Sequence, residues 1–482
     1  MYSNLFLILL ICYYLPFNHA IEPTICLPGV CFKGSWMEEF VSFQGIRYAE
    51  SPINKLRFKP PMPFSYSEGV YDTSQESTVR CPQWHRMSDG NRTLWGQEDC
   101  LLLNIYVPDD VFYNPEDNLE LPVMVWIHGG GLINGANIYT EYGPKHFMKR
   151  NVIVVTINYR LGPLGFLSMG NDVVPGNQGM RDQAMALTWV YNNIEFFGGD
   201  KNRITIFGES AGSLSVAFQL ISPMSQGLFQ RAILQSGTAL SPSKGLITPE
   251  HALQFANQAY ELLGCDQEQD ILDCMQSKPI LTIFESLTSL TDIAATVWGP
   301  VPDSGFTSEP FLPGDPETLM ASGEFHKDIE MIIGTNADEG LMNLISVILE
   351  PSLWEYYRKN FDVIGPMSLF NIPDPSEITT KDVENAHKII GQYVGSVSNI
   401  NEDHISGITD MDTDAGYLYG TFKTLWYARM WEVKVYQYGN VIFWQNLHKS
   451  SIFFTFGAQP FTSFIADLCQ DISRVSSLDK GP

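Results

Sequence analysis

The chain has 482 residues, longer than an average domain but within the range that one large α/β sheet can hold. Its 44% apolar content, with 12% aromatic residues, excludes a disordered chain. The formal net charge of −25, from 29 basic and 54 acidic residues, disfavours nucleic acid and anionic membranes as partners. No repeat or low-complexity linker divides the chain, so we expect one domain over residues 21–482.

The first twenty residues resemble a targeting segment. Residues 5–11 are apolar, and residues 18–20 read Asn-His-Ala. The run is too short to span a bilayer and predicts a secretory signal peptide over residues 1–20, with a buried first strand or a signal anchor as the alternatives. No later segment is apolar enough to cross a membrane, so we expect a secreted protein without a membrane span.

Cys12 would be removed with the predicted signal peptide. The other seven cysteines fall mostly in close pairs, which in an oxidising compartment predicts local disulfides. The predicted bonds are Cys26–Cys31, Cys81–Cys100 and Cys265–Cys274, which leaves Cys469 over. No pair has zinc spacing with histidines nearby, so we expect no metal site. Asn91 opens the single N-glycosylation sequon, inside the Cys81–Cys100 loop, and we expect a glycan there.

Apolar runs predict strands in chain order at residues 40–49, 101–108, 121–127, 151–159, 203–207, 231–235 and 329–334. Helical spacing over residues 183–197 and small residues over 213–217 predict helices between them. The run at 151–159 is rich in β-branched residues and is typical of a strand buried on both faces. The alternation predicts an α/β fold, a large, mostly parallel central sheet with helices on both faces.

The first motif in chain order is His-Gly-Gly-Gly at residues 128–131, directly after the strand predicted at 121–127. Consecutive glycines let the backbone approach a substrate and point N–H groups at one atom. We therefore expect the N–H groups of Gly130 and Gly131 to contribute to an oxyanion hole. A flexible glycine loop is the alternative; a phosphate cradle is disfavoured because the Gly-Lys-Ser/Thr ending is missing.

The second motif is Gly-Glu-Ser-Ala-Gly at residues 208–212, between a predicted strand and a predicted helix. This is the context of a nucleophile elbow, where glycines allow a turn too sharp for flanking Cβ atoms. The turn would lift the Ser210 hydroxyl above the sheet edge, and the N–H of Ala211 would complete the oxyanion hole.

The third motif is Gly-Thr-Asn-Ala-Asp-Glu-Gly at residues 334–340, at the end of a predicted strand. A carboxylate there can hold a histidine and stabilise its charged form. On chemistry alone either Asp338 or Glu339 could serve, and an ordinary acidic loop is the alternative.

Together these motifs resemble the type-B carboxylesterase/cholinesterase family of α/β-hydrolases. Residues 45–49 (Gly-Ile-Arg-Tyr-Ala) and 98–104 (Glu-Asp-Cys-Leu-Leu-Leu-Asn) match its pattern too, so that the resemblance covers residues 30 to about 345. The resemblance implies an α/β-hydrolase fold without a cofactor or metal. It also selects Glu339 over Asp338 as the triad acid, and it implies disulfides at Cys81–Cys100 and Cys265–Cys274.

The triad histidine must come from the C-terminal third, where His387, His404 and His448 follow Glu339. His387 lies in a charged helical pattern and His404 in an acidic loop. His448 precedes an aromatic stretch ending in glycine, as the family histidine does, and gives the order Ser, acid, His. Other family features are altered from about residue 435, with Gln445 and Ser451 where the family has a glycine and an acid.

The leading hypothesis is a secreted carboxylic-ester hydrolase with Ser210 as nucleophile, Glu339 and His448 as its partners, and a small-molecule ester as substrate. The alternative is a non-catalytic member of the family that serves adhesion or ligand sequestration.

A general carboxylesterase fits better than a cholinesterase or a juvenile-hormone esterase. Cholinesterases resemble this chain through Glu209, but neither Trp84 nor Trp95 falls clearly at the position of their choline-binding tryptophan. Juvenile-hormone esterases typically carry Gln at the position of Glu209. Trp298 could line an acyl pocket or simply pack in the core. The sequence sets neither the oligomeric state nor the acyl and alcohol preference.

Overall fold

The computed structural model describes residues 22–87, 91–113, 120–241, 245–293, 297–372 and 374–440. The predicted signal peptide, His448 and Cys469 lie outside the described residues. None of the helices in the described ranges is long and apolar enough to span a bilayer.

The described strands are numbered in chain order. They are β1 Thr24–Leu27, β2 Val30–Lys33, β3 Ser35–Trp36, β4 Phe40–Arg47, β5 Gly69–Asp72, β6 Gln83–Arg86, β7 Arg92–Trp95, β8 Leu102–Pro108, β9 Leu121–Ile127, β10 Ile153–Ile157, β11 Gly199–Glu209, β12 Arg231–Gln235, β13 Glu330–Asn336 and β14 Lys434–Asn440. Nine of them form the central sheet, in the order β14-β13-β12-β11-β9-β10-β8-β4-β3.

The central sheet is mostly parallel, as predicted. Five of its eight neighbouring pairs, from β14 across to β10, are parallel. The pairs β10–β8, β8–β4 and β4–β3 are antiparallel. All five residues of β10 and all seven of β8 are buried, which explains why these strands are continuous apolar runs in the sequence.

Helices cover both faces of the sheet. The α-helices are Asp110–Tyr113, Tyr139–Tyr142, Lys145–Met148, Gly162–Phe166, Gln178–Asn193, Ala211–Ile221, Pro249–Leu262, Ile271–Ser277, Ile280–Ile293, Pro316–Ser322, Leu341–Leu349, Leu353–Lys359, Phe361–Phe370, Thr380–Val394, Ile405–Thr413 and Tyr419–Met430. Along β9, Val123, Val125 and Ile127 belong to one buried cluster, whereas Met124 belongs to another. This alternation follows the pleat and shows that both faces are packed.

A separate apolar cluster holds the C-terminal helices together. Leu344, Trp354, Phe361, Ile390 and Met411 are among its buried members, and they come from five different helices. The helix Thr380–Val394 begins with a capping box between Thr379 and Asp382, which satisfies two backbone N–H groups at its start.

Disulfides join Cys26 to Cys31, Cys81 to Cys100 and Cys265 to Cys274, the three pairs proposed from sequence spacing. The first bond closes the hairpin of β1 and β2, in which the two cysteines are directly paired. The second encloses the hairpin of β6 and β7, and the exposed Asn91 of the sequon precedes β7.

The helix Gln178–Asn193 begins five residues before the predicted start at 183. Its first five residues include Arg181 and Asp182, which are buried polar residues that an apolar pattern cannot reveal. Asp182 forms an ion pair with Arg160 at 2.6 Å, and Arg181 forms one with Asp303 at 2.8 Å. These contacts anchor the start of the helix in the core, because a buried charge needs a partner.

Candidate active site

Ser210 lies at the turn between β11 and the helix Ala211–Ile221. Its backbone has φ 55° and ψ −121°, a conformation that costs a non-glycine residue free energy and persists only where its surroundings impose it. The Ser210 N–H donates to the carbonyl of Gln235 on β12 at 2.9 Å. This strained turn is the local geometry that a nucleophile elbow requires.

Both glycines that flank Ser210 are sterically required. A Cβ on Gly208 would lie 2.5 Å from the carbonyl carbon of Gly212, and a Cβ on Gly212 would lie 2.1 Å from the carbonyl oxygen of Ile127. The backbone at Gly208 therefore lies close to the backbone at Gly212, and Gly212 lies close to the end of β9. No other residue type fits these two positions without moving the backbone.

The glycine loop after β9 lies against this turn. A Cβ on Gly129 would come within 3.4 Å of the Ser210 Cβ and 2.6 Å of the Glu209 carbonyl oxygen. Gly130 and Gly131 have φ values of +105° and +63°, which favour glycine. The loop therefore lies directly beside Ser210, the predicted nucleophile.

Ala211 is the first residue of its helix, so its N–H has no partner inside the helix. The N-terminus of a helix also favours negative charge, since its backbone N–H groups point outward. Ala211 therefore lies at the start of this helix, and its role as the third oxyanion donor stays a prediction.

His128, the residue before the three glycines, is buried and packs against Tyr159. Its ring stacks on Tyr159 with centroids 4.4 Å apart, and the Tyr159 hydroxyl donates to the His128 carbonyl at 2.7 Å. Complete burial lowers the pKa of His128 to about 4, so the imidazole is neutral near pH 7. This histidine acts as part of the scaffold.

Glu339 follows β13, the strand next but one to β11. Its Oε1 accepts hydrogen bonds from the Ser236 hydroxyl and from the Asn336 backbone N–H, the latter at 2.8 Å. Ser236 itself follows β12, has a positive φ of 62° and donates its N–H to the Gly334 carbonyl at 2.9 Å. Ser236 was not among the residues predicted from the sequence. The only signal for it was the Ser236–Gly237 pair directly after a predicted strand.

Glu209 is a second carboxyl group beside Ser210. Its burial, with a smaller contribution from the charge of Glu339, raises its pKa to about 7. Burial, together with the nearby Glu209 and Glu339, also raises the pKa values of the Tyr417 and Tyr438 hydroxyls, so both stay neutral. The surroundings of Ser210 are thus acidic but hold less negative charge than two free carboxylates would.

Two of the three candidate histidines are bonded to other side chains. The Nε2 atom of His387 is 2.7 Å from Oδ1 of Asp362. The Nδ1 atom of His404 is 3.1 Å from Oδ1 of Asn401. Both belong to the C-terminal helical region. His448, the histidine selected from the sequence, is outside the described residues.

A cavity of about 260 Å³ begins at the end of the glycine loop. It is lined by Trp84, Arg92, Ile133, Asn134, Gly162, Pro163, Phe284, Leu287, Thr288 and Trp298. The Ile133 and Asn134 N–H groups donate to the Gly130 carbonyl at 3.1 and 3.0 Å, which ties this wall to the loop. Such a mostly apolar space beside a polar site suits a substrate chain.

No group of three or more potential metal-ligating side chains occurs in the part of the chain that the structure describes. The structure does bring together a strained serine, a glycine loop and two carboxyl groups, which are the kinds of group that acyl transfer uses.

Comparisons with known proteins agree with this geometry. A family model described as the carboxylesterase family matches residues 28–465. Venom carboxylesterase-6 of Apis mellifera is 38% identical over 383 residues, which cover 78% of this chain and 66% of the relative. Juvenile hormone esterase of Tribolium castaneum is 35% identical over 405 residues, which cover 80% and 66%.

Among solved structures, juvenile hormone esterase from Manduca sexta, with OTFP covalently attached, superposes with a TM-score of 0.73. It is 28% identical, and the match covers 87% of this chain and 78% of that one. The chain spans slightly less than two thirds of the length of the curated relatives named above.

Proposed function

Because the chain belongs to the carboxylesterase family, we propose that it is a secreted serine hydrolase that cleaves small carboxylic esters. The observation that carries the proposal is the strained Ser210 turn packed directly against the glycine loop. A serine held at φ 55° costs free energy, and such strain is typically retained where function needs the hydroxyl at that point.

In the proposed acylation step, the Ser210 hydroxyl attacks the ester carbonyl while His448 takes its proton. The negative charge on the carbonyl oxygen is stabilised by the N–H groups of Gly130, Gly131 and Ala211. His448 then protonates the leaving alcohol. Water activated by the same histidine attacks the acyl-enzyme, releases the acid and restores the Ser210 hydroxyl.

Glu339 is the proposed partner of His448. Its Oε1 accepts hydrogen bonds from the Ser236 hydroxyl and the Asn336 backbone N–H, which hold the carboxylate in place. A carboxylate fixed in this way sets the orientation of the imidazole and stabilises the imidazolium as it forms.

The cavity beyond the glycine loop is the proposed site for one arm of the ester. The Trp84 Nε1–H donates to the Thr288 hydroxyl oxygen at 3.2 Å, and its ring meets Phe284 edge-on at 6.0 Å. These contacts fix an aromatic wall against which an apolar chain can pack.

Secretion is supported by the three disulfides, which persist in oxidising compartments. The relative named venom carboxylesterase-6 is consistent with an extracellular enzyme. A glycan at Asn91 belongs to the same proposal, and a mass shift on treatment with an N-glycosidase would test it.

The deciding experiment labels the secreted protein with a fluorophosphonate and locates the adduct by peptide mass spectrometry. We expect phosphonylated Ser210 in the wild type and no adduct in Ser210→Ala or His448→Ala. A folded wild-type protein that neither reacts nor hydrolyses esters would overturn the proposal and favour a binding role.

Asp338 and Glu339 form a matched pair for the proposed acid. The Glu339→Gln variant should lose about 10⁴-fold in kcat, the scale seen when a triad carboxylate becomes an amide. Asp338→Asn removes the same charge one residue away and should retain near wild-type turnover. The opposite ranking would assign the role to Asp338.

A further inference from the structure

The chain leaves the glycine loop at Gly135, where it passes back beside the start of that loop. A Cβ on Gly135 would lie 2.3 Å from Nδ1 of His128 and 2.6 Å from the Gly129 carbonyl oxygen. Gly129 is also the residue packed against the nucleophile turn, because a Cβ there would come within 3.4 Å of the Ser210 Cβ. In a site packed this closely, the position of Gly135 affects the position of the loop beside Ser210.

The segment between the loop's glycines and Gly135 is a closed turn. The Gly130 carbonyl accepts hydrogen bonds from the N–H groups of Ile133 and Asn134 at 3.1 and 3.0 Å. A Cβ on Gly130 would lie only 2.2 Å from the Asn134 carbonyl oxygen. Because these bonds join the two sides of the turn, a displacement at Gly135 would also displace Gly130, one of the proposed oxyanion donors.

The side chain of Gln83 binds both backbone groups of Gly135. Its Oε1 accepts from the Gly135 N–H at 2.9 Å, and its Nε2 donates to the Gly135 carbonyl at 2.8 Å. Nε2 also donates to the Cys81 carbonyl at 3.0 Å. A glutamine amide has one acceptor oxygen and two donor hydrogens, so these three bonds give every part of the buried amide a partner.

Gln83 belongs to a rigid element, whereas Gly135 does not. Gln83 is the first residue of β6, pairs with Trp95 in the hairpin of β6 and β7, and lies two residues after Cys81 of the buried Cys81–Cys100 bond. Gly135 lies in neither a helix nor a strand. The glutamine amide therefore supplies the donor and acceptor that a neighbouring strand would supply in a sheet.

We propose that Gln83 is a positioning residue for ester hydrolysis: by holding Gly135, its amide keeps the N–H groups of Gly130 and Gly131 in place beside Ser210. Such donors stabilise an oxyanion only while they are preorganised, and a displacement of about 1 Å can cost about 10² in rate. Gln83 acts through the loop rather than on the substrate itself. This inference rests on the proposed esterase function and adds a residue to the same site.

The test replaces Gln83 by methionine, which keeps the length of the side chain and removes all three hydrogen bonds. Hydrolysis of p-nitrophenyl butyrate gives kcat and KM, and inhibition by octyl trifluoromethyl ketone gives a Ki. In the proposed mechanism the Ser210 oxygen adds to the ketone carbon, His448 takes the serine proton, and the carbonyl oxygen becomes an oxyanion. This ketone therefore reports on the oxyanion donors separately from substrate binding.

In Gln83→Met, kcat should fall about thirtyfold, less than the 10²–10³ lost when a donor is removed outright. KM should change less than about threefold, and Ki should rise by about the factor by which kcat/KM falls. Gln83→Glu keeps the shape and the acceptor for the Gly135 N–H. Its buried carboxyl can donate one hydrogen bond while protonated and loses this donor as it ionises, so its kcat relative to the wild type should fall from about pH 6 to pH 9. This second variant tests the inference if the methionine variant is not secreted.

Gln276→Met is the matched control. Gln276 is 7% exposed against 6% for Gln83, and its Nε2 donates to the backbone carbonyls of Lys55 and Arg57 at 3.1 and 2.9 Å, which are not in the glycine loop. This variant also loses a buried amide, so its urea midpoint should fall like that of Gln83→Met, while kcat and Ki stay within about twofold of the wild type.

Equal kcat values in the two methionine variants would overturn the inference, and so would a Gln83→Met enzyme whose kcat falls while Ki is unchanged. For Gln83→Glu, a kcat equal to that of the wild type across the pH range would overturn it too. Failure of the esterase proposal is distinguishable, because the wild type itself would then neither hydrolyse the ester nor bind the ketone.

Discussion

At the residue scale, the hydroxyl of Ser236 donates a hydrogen bond to Glu339 Oε1. We expect Ser236→Ala to lower kcat about tenfold with little change in KM, since a hydrogen bond to a charged group contributes about 1.5–3 kcal/mol. Steady-state kinetics on a neutral ester would measure both constants.

A second substitution distinguishes the effect of backbone strain at Ser236 from the effect of losing its hydroxyl. The residue has φ 62°, so Ser236→Gly removes the hydroxyl while relieving the backbone. Equal losses of kcat in the alanine and glycine variants would assign the effect to the hydrogen bond. A glycine variant with wild-type turnover would contradict that assignment.

Glu209 gives a pH-dependent stability prediction. Its pKa is about 7 in the folded protein and near 4.5 in the unfolded chain, so the unfolded chain releases this proton first as the pH rises. Its contribution therefore favours folding below about pH 4.5 and is lost as the pH rises towards 7. Relative to the wild type, Glu209→Gln should gain about 2 kcal/mol in unfolding free energy between pH 4 and 8.

Urea unfolding at several pH values would measure this difference. Glu355 is the control, because its bond to Lys359 lowers its pKa. Glu355→Gln should therefore show no gain with rising pH. A constant difference between Glu209→Gln and the wild type would refute the assigned titration.

Site residues could be predicted from the sequence where the motif that positions them is contiguous in the chain. Ser210 was predictable because its glycines and flanking elements are contiguous in the chain. Ser236 was not, because its partner Glu339 is 103 residues away and only the adjacency of β12 and β13 brings them together. The cavity wall formed by Trp84 and Thr288, which are 204 residues apart in the chain, was not predictable for the same reason.

At the element scale, the turn from β11 into the helix Ala211–Ile221 depends on Gly212. A Cβ there would lie 2.1 Å from the Ile127 carbonyl oxygen, a backbone atom inside the sheet. We expect Gly212→Ala to destabilise the protein by about 3 kcal/mol or more, or to prevent its secretion, since overpacking forces backbone shifts. Secreted yield and urea unfolding would measure this.

Gly391→Ala is the matched helical substitution. Gly391 lies inside the helix Thr380–Val394, and nothing would lie within 4 Å of the added Cβ. Alanine should there stabilise the protein by about 0.5–1 kcal/mol through better helix propensity. Similar effects of the two substitutions would show that packing at the elbow is not what makes Gly212 necessary.

Elements with strong apolar patterns were predictable and the others were not. The strands β9 and β12 have the bounds that the sequence predicts, because their residues are almost all buried. The short strands β1, β2, β3, β5, β6 and β7 were missed, since half-exposed strands lack such runs, and so was the edge strand β14. The order of the antiparallel edge strands also depends on long-range pairing, which periodicity does not encode.

At the scale of the whole molecule, the sheet order explains why the motifs converge. The glycine loop, Ser210, Ser236 and Glu339 follow β9, β11, β12 and β13, which are four adjacent parallel strands. The carboxyl ends of parallel strands lie at one edge of a sheet, which is where α/β proteins bind ligands. The alternation of strands and helices along the chain predicted the fold class, but only this adjacency brings the motifs together.

The net charge of −25 predicts a salt dependence for the whole molecule. Self-repulsion among surface carboxylates destabilises a compact state, and salt screens it over the Debye length of about 10 Å at 0.1 M. Raising NaCl from low concentration to 0.3 M at pH 7 should therefore raise the apparent Tm by about 2 °C. Near the sequence pI of 4.6 the same addition should have little effect, because the net repulsion has vanished. Scanning calorimetry in NaCl and KCl at both pH values would separate screening from specific ion binding: a Tm at pH 7 that does not change with either salt would show that the acidic charge is too dispersed to oppose folding.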